Sequence, residues 1–160
     1  MRAKGFTLVE ILIVVVILGI LAAIVIPQFT DASTQARESS MCSDLQMVRS
    51  QIELYKVQHR DTLGGITDGA TFISHMTTWT DIDGTILLAA TPGVSFGPYM
   101  QKVPVNPFNN ALAADNVNGA VDTTGTAGDD VGSWELNVTN ATIQADDSYS
   151  TPEGVAHTNL

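Results

Sequence analysis

The chain has 160 residues, with seven Lys or Arg against seventeen Asp or Glu, and a formal net charge of −10 at pH 7. This length has room for one small domain beside any membrane segment. The last hundred residues hold a single lysine, Lys102, against twelve acids, so the globular part does not offer the basic surface that nucleic-acid binding needs. The lone cysteine, Cys42, excludes an intramolecular disulfide, and its place in a helical pattern predicts a small packing residue.

The most distinctive stretch is apolar and lies near the N-terminus. It spans residues 6–26, where Thr7 and Glu10 are the polar side chains. A helix of that length reaches about 30 Å, enough to cross the hydrocarbon core of a bilayer. Arg2 and Lys4 precede it, which places the N-terminus in the cytoplasm and the remainder of the chain outside.

Glu10 does not fit a plain signal or anchor, because a carboxylate inside an apolar segment costs about 2.5–3.5 kcal/mol on insertion scales. Such a residue needs a partner, and a functional role is the default hypothesis. A free α-amino group, made by cutting the chain before Phe6, would be a suitable one. In an assembly, the amine of one subunit would then meet Glu10 of its neighbour, so that the charge is neutralised only when the subunits are in register.

Residues 4–10, with the sequence KGFTLVE, resemble the class III signal of type IV pilins and type II secretion pseudopilins. The resemblance implies that a prepilin peptidase cuts between Gly5 and Phe6 and methylates the new amino group of Phe6. It also implies that Glu10 is the assembly glutamate and that Pro27 is a helix-kinking proline. The competing interpretation is an ordinary secretory signal with its apolar region at residues 11–26, but that run is long for such a signal and Glu10 stays unexplained.

A second apolar pattern follows Pro27. The missing N–H of Pro27 and its restriction of Ile26 predict a bend or local unwinding of the helix there. Helical spacing then resumes and ends near the glycines at positions 64 and 65. One face of this second half is apolar: Met41, Leu45, Val48, Ile52 and Tyr55. The sequence therefore predicts an α+β, pilin-like fold, in which a long N-terminal helix with an apolar first half and an amphipathic second half packs on a small antiparallel sheet.

The remaining residues predict a small head. Residues 70–79 have helical spacing, residues 86–90 fit either a strand or a helical turn, and the prolines in residues 103–107 favour extended chain. Alternation at residues 134–138, followed by residues 142–145, predicts a hairpin, and the polar tail beyond it is expected to be loose. The predicted organisation is a leader (1–5), a transmembrane or filament-core helix (6–27), an amphipathic helix (28–63) and a globular head (64–160).

Parts of the head are also similar to major pseudopilins. These are residues 97–99 (GPY), 103–108 (VPVNPF) and 132–134 (GSW) with the hairpin that follows. They favour secretion-type subunits over adhesive pilins. Major pseudopilins carry calcium in the loop before the final strands, and the loop here is rich in Asp, Asn and Gly, whose oxygens suit Ca²⁺. The resemblance nominates Asp122, Asp129, Asp130 and Ser133 as ligands. Their spacing is not that of an EF-hand, and a solvated loop is the alternative.

No motif favours catalysis. His59, His75 and His157 are far apart and lack zinc-site spacing, and neither a nucleophile motif nor a phosphate loop is present. The chain is therefore predicted not to be an enzyme.

The function that the sequence predicts is that of a structural subunit of a helical filament. The favoured reading is the major pseudopilin of a type II secretion system, and the alternative is the major subunit of a surface type IV pilus used for adhesion, motility or DNA uptake. A third possibility is a membrane-anchored binding domain that never polymerises. The expected partners are other copies of the chain, a prepilin peptidase, an inner-membrane assembly platform and minor pseudopilins. The precursor is expected in the inner membrane with its head in the periplasm, and the assembled filament in the periplasm or outside the cell.

Overall fold

A computed structural model describes residues 6–109, 121–123, 128 and 132–160. The elements in chain order are α1 (Leu8–Gln58), α2 (Gly69–Thr77), β1 (Trp79–Thr80), β2 (Ile86–Leu87), β3 (Val121–Asp122), β4 (Trp134–Asn137), β5 (Thr142–Ala145) and a 3-10 helix (His157–Asn159). Strands β1 and β2 form an antiparallel pair, and β4 is the middle strand of a second sheet with the order β3-β4-β5. The predicted α+β, pilin-like architecture is confirmed.

The second sheet contains the predicted hairpin and one further strand. β4 and β5 are antiparallel, with Trp134 opposite Ala145 and Asn137 opposite Thr142. β3 lies on the other side of β4 and runs parallel to it. A strand of two residues is too short to show any periodicity, which is why the sequence pattern did not predict this parallel addition to an otherwise antiparallel sheet.

The chain forms two compact units, residues 1–37 and 38–160. In the first unit, the apolar side chains of residues 8–26 are exposed along the whole segment. Among the described residues, α1 is the one helix long and apolar enough to cross a membrane, and none of its most apolar stretch is buried within the chain. Such a large apolar surface must be covered from outside the chain, by lipid or by other protein.

The unwinding expected at Pro27 does not occur. α1 remains helical from Leu8 to Gln58 with Pro27 inside it, so of the two expected outcomes, a bend or local unwinding, the second is absent. Proline removes one backbone hydrogen bond, but nearby hydroxyl side chains and small local adjustments accommodate it in apolar helices. The carbonyl that loses its donor is that of Ala23, four residues before Pro27, so the interruption is confined to a single hydrogen bond. The bend itself stays a prediction.

The second unit is built on the apolar face of α1. The predicted stripe is confirmed, because all five of its members are at most 1% exposed. They pack in one core with residues of α2 and of the hairpin, including Phe72, Met76, Trp134, Leu136 and Ile143. Each large side chain buried in this way contributes about 1.5–3 kcal/mol to folding. The amphipathic half of α1 is therefore the surface on which the head folds.

The tail after β5 was expected to be loose, and this expectation was wrong. Asp147 and His157 are fully buried, and Leu160 packs against the core. Arg49 of α1 donates to the Leu160 carbonyl oxygen at 2.8 Å and, through Nε and Nη2, to the Ile143 carbonyl oxygen at 3.1 and 3.0 Å. The tail is held by a few buried side chains and by contacts of Arg49 with backbone carbonyls, and composition does not reveal either.

Two carboxylates, that of the exposed Asp68 and that of the half-buried Asp81, organise the connection between α1 and the sheets. Asp68 caps α2: its Oδ1 accepts from the Thr71 amide at 2.8 Å, while the Thr71 hydroxyl accepts from the Asp68 amide at 2.9 Å. In the turn between β1 and β2, Asp81 accepts from the amides of Asp83 and Thr85 at 3.0 and 2.8 Å. The amide of Thr71 holds the pKa of Asp68 below its ordinary value, and the amide of Thr85 does the same for Asp81.

These lowered pKa values predict a loss of stability in acid. Because both carboxylates bind their amides best when ionised, their contribution is present above the unfolded pKa of about 3.9 and is lost as the pH falls through the lower folded values. Replacing Asp68 with alanine is expected to lower the Tm of the full chain in detergent at pH 7 by about 2–8 °C. Circular dichroism at pH 7 and pH 3 measures this. The matched variant Asp68→Asn keeps an acceptor without the charge, so it should retain most of the cap; equal melting of all three proteins would contradict the prediction.

Candidate functional site

The described chain begins just before α1, at the predicted assembly site. Phe6 is non-helical and 77% exposed. Thr7 follows it and caps the helix together with Glu10. The Thr7 amide and hydroxyl donate to Glu10 Oε2 at 2.9 and 2.8 Å, and the Thr7 hydroxyl accepts from the Glu10 amide at 3.3 Å. These contacts form a capping box, in which the side chains of the first and fourth residues satisfy each other's backbone amides.

This capping box gives Glu10 a partner within its own chain. Both donors of Thr7 bind the same carboxylate oxygen, and an ionised carboxylate accepts through two oxygens, so Glu10 retains capacity for a further donor through Oε1. The partner predicted for Glu10 was a charged group, and Thr7 is an uncharged one. The T-x-x-E spacing of residues 7–10 is the signal that would have found it.

The predicted cleavage point lies where the backbone is not helical. Phe6 and Thr7 precede Leu8, the first helical residue, so a cut on the N-terminal side of Phe6 leaves every turn of α1 intact. Gly5 lies outside the described residues. Cleavage at this bond and methylation of Phe6 stay predictions.

The structure brings two of the four nominated calcium ligands close together. Asp122 lies on β3, and Ser133, which is fully buried, directly precedes β4. A Cβ added at Gly132 would approach Asp122 Cβ to 3.2 Å, so the chain before Ser133 runs against the Asp122 side chain. Asp129 and Asp130 lie outside the described residues. Among the residues that are described, no three His, Cys, Asp or Glu side chains converge to hold a metal ion.

Asp146 binds backbone amides at two positions, one on either side of residues 129–131, and no role for it was predicted from the sequence. Its side chain is fully buried, with Oδ1 accepting from the Gly128 amide at 2.8 Å and Oδ2 from the Gly132 amide at 2.7 Å. Asn109 donates to the backbone oxygen of Asp146 at 2.9 Å. Asp146 thus fixes both sides of the stretch that contains two nominated ligands. Its position directly after a predicted strand was the available signal, but the polar sequence beyond Asp146 predicted a loose tail.

Comparison with known proteins supports the interpretation of the N-terminus. Residues 1–26 match the family model described as the prokaryotic N-terminal methylation motif. This match covers the basic leader, the Gly–Phe junction, Glu10 and the apolar segment. No match was found among solved structures.

Several characterised proteins are similar to the chain. A type IV narrow pilus major component of Thermus thermophilus is 40% identical over 84 residues, covering 46% of this chain and 72% of that protein. A type II secretion system core protein G of Pseudomonas aeruginosa is 28% identical over 156 residues, covering 84% of this chain and 96% of that protein. A fimbrial protein of Pseudomonas aeruginosa is 31% identical over 109 residues, covering 59% of this chain and 71% of that protein. With its capped apolar helix and its head folded on the amphipathic half, the chain belongs to the family of type IV pilins and type II secretion pseudopilins.

Proposed function

We propose that this structural subunit is the major pseudopilin of a type II secretion system. The observation that carries the proposal is the extent of similarity to core protein G. The relatives from Pseudomonas aeruginosa and Aeromonas hydrophila align with 84% of this chain and with 96% and 94% of their own lengths, so the similarity includes the head. The similarity to the Thermus pilus component extends over 46% of the chain.

The second candidate is the major subunit of a surface type IV pilus. It is favoured by the higher identity of the Thermus pilus component, 40% against 28% for the core protein G of Pseudomonas aeruginosa. Both candidates require the same assembly chemistry at the N-terminus. They differ in whether the filament reaches the cell surface. They also differ in whether the cell without it loses protein export or surface filaments.

Assembly follows from the exposed apolar helix. The precursor is held in the inner membrane by residues 6–27 with its head in the periplasm, and a prepilin peptidase cuts before Phe6 and methylates it. An assembly platform and minor pseudopilins then feed the subunit into a helical homopolymer. Moving an apolar helix from lipid into a bundle of helices gains little hydrophobic free energy, because lipid is as apolar as leucine. Pairing of Glu10 with the amine of a neighbouring Phe6 supplies a preference for the assembled state.

Deletion of the gene tests the function. The culture supernatant of the deletion strain is compared with that of the parent, and surface filaments are imaged in both. Loss of exported proteins with unchanged surface filaments is the expected result. Loss of surface filaments with export intact would assign the chain to a pilus. An unchanged strain would overturn both proposals, and re-expression of the intact gene is the control.

We also propose that the head binds Ca²⁺ through Asp122, Asp129, Asp130 and Ser133. Two facts support this proposal. Asp122 lies beside Gly132, the residue before Ser133, and Asp146 holds the backbone at Gly128 and Gly132, on either side of the intervening residues. Hard oxygen ligands on a loop held in this way suit the variable coordination of Ca²⁺.

Removal of calcium is therefore expected to destabilise the head. At a Ca²⁺ concentration one hundred times the dissociation constant, binding adds about 2.7 kcal/mol, which corresponds to a fall in Tm of about 5–10 °C when EGTA is added. The measurement is thermal melting of the full chain in detergent with Ca²⁺, with Mg²⁺ and with EGTA. Asp130→Ala should abolish the calcium effect, whereas Glu153→Ala, at an exposed tail position, should preserve it. A Tm that is insensitive to EGTA would contradict the proposal.

A further inference from the structure

The docked tail carries a histidine that is completely enclosed. His157 is 0% exposed, and its ring lies 4.6 Å from that of Phe108, measured between centroids. Its Nδ1 is 2.7 Å from Asp147 Oδ1, and its backbone amide donates to the Tyr149 carbonyl oxygen at 3.1 Å. A polar ring in such a place needs a partner for each nitrogen.

Asp147, the first partner, has the contacts of an ionised carboxylate. It too is buried, and besides His157 it accepts from the side-chain amide of Asn106 at 2.6 Å and from the backbone amide of Tyr149 at 3.0 Å. Donors converge on both oxygens, which favours the charged, acceptor-only form. A buried negative charge is costly unless a cation accompanies it. In the described part of the chain, the cationic group within 4 Å of Asp147 is His157.

The second ring nitrogen, Nε2, lies near another carboxylate, that of Glu38 in α1. Glu38 Oε1 lies 3.9 Å from His157 Nε2, and the Glu38 side chain is 14% exposed. Both atoms are buried and have no hydrogen-bond partner among the described residues. If His157 is neutral with its proton on Nδ1, two acceptors face each other here. A proton on Nε2 supplies the missing donor, and a closer approach of about 1 Å would complete a charge-assisted hydrogen bond.

Two further charged groups lie next to the tail or to Asp147 in the chain, and both are engaged elsewhere. Arg49 of α1 donates to backbone carbonyls at Ile143 and Leu160. Asp146, the neighbour of Asp147 after β5, accepts from two backbone amides. In the described part of the chain, the carboxylates paired with the two ring nitrogens of His157 are those of Asp147 and Glu38, and a proton on each nitrogen would give both carboxylates a donor.

We propose that doubly protonated His157 fastens the tail to α1 by bridging Asp147 and Glu38, and that this clasp loosens as the pH rises. The sign follows from the pairing: the imidazolium is bound in the folded state, so the stabilisation is complete in acid and is lost as the second proton leaves. Imidazoles make this change between about pH 5 and 8. The inference concerns the head alone and holds whether the filament is a pseudopilus or a pilus.

Hydrogen exchange followed by mass spectrometry tests the clasp on the full chain in detergent. Labelling at pH 5.5 and pH 8.0, with times corrected for the intrinsic exchange rate, is read on peptides from residues 148–160. After this correction, the tail amides should exchange at least about tenfold more slowly at pH 5.5 than at pH 8.0, because a hydrogen bond between charged groups is lost at pH 8.0. Glu38→Gln should remove this dependence, since the glutamine amide can donate to neutral Nε2. Glu153→Gln, the same change at an exposed tail position, should leave it unchanged.

Nitrogen NMR shifts of His157 in the same sample give an independent readout. Both ring nitrogens should show the imidazolium signature at pH 5.5, and Nε2 should lose it at pH 8.0 in step with the loss of tail protection. A tail whose protection is independent of pH, or grows with pH, would overturn the proposal. So would an Nε2 that is unprotonated at pH 5.5 while the tail is protected, or a Glu38→Gln variant that keeps the wild-type dependence.

Discussion

Replacing Glu10 with alanine is expected to leave cleavage before Phe6 intact and to lower incorporation into filaments by about 10- to 150-fold. This range is the equilibrium equivalent of losing one hydrogen bond to a charged group, about 1.5–3 kcal/mol. The apolar surface of residues 8–26 has nearly the same free energy in lipid as against other helices. Burial of that surface therefore does little to favour assembly or to fix how neighbouring subunits align. Mass spectrometry of the mature N-terminus and quantification of sheared filaments measure the two steps separately.

The capping box supplies a control that separates the charge of Glu10 from its role in the helix. Thr7→Val removes the hydroxyl that contacts Glu10 but keeps the carboxylate, so incorporation should fall less than in Glu10→Ala. Asp31→Ala removes an exposed carboxylate farther along the same helix and should assemble normally. Normal filaments from Glu10→Ala would refute the pairing argument, and equal loss in Thr7→Val would assign the effect to the helix cap.

The features predicted correctly from the sequence are those with a local period. The buried stripe of α1 repeats every three or four residues, and the hairpin alternates every two, so each pattern identified its element and its buried face. Within β4, Glu135 departs from that alternation and is 8% exposed. It lies on the middle strand, with β3 on one side and β5 on the other, and this placement depends on a strand that the sequence did not reveal.

The features that were missed depend on contacts between distant residues. Arg49 reaches Leu160 across 111 positions and Asn106 reaches Asp147 across 41, so no local pattern marks the tail as ordered. Pro27 shows the limit of a local rule. The rule predicted a bend or local unwinding, and α1 is helical through this position. At the candidate assembly site, the contacts between Thr7 and Glu10 are local to one turn of helix, so the T-x-x-E spacing is enough to predict them, whereas cleavage and pairing with a neighbouring subunit stay predictions.

The largest effect on stability is expected at Trp134. This side chain is fully buried in the core, and its indole N–H donates to the Pro104 carbonyl oxygen at 2.7 Å. Trp134→Ala should lower the free energy of unfolding of the head by about 3–5 kcal/mol, because it removes a large buried surface and leaves a cavity. Such a loss corresponds to a fall in Tm of about 6–20 °C. Denaturant unfolding of the full chain in detergent, followed by circular dichroism, measures it.

Trp134→Phe divides this loss into packing and hydrogen bonding. Phenylalanine keeps most of the apolar volume but leaves the Pro104 oxygen without its donor, so we expect a cost of about 1–3 kcal/mol. Trp79 remains in both variants and provides a fluorescence signal common to them. If the phenylalanine variant were as unstable as the alanine variant, the hydrogen bond to the extended segment would outweigh the core contact. If neither variant were destabilised, β4 would not be the centre of the core, and the head could not depend on the Gly-Ser-Trp segment for its fold.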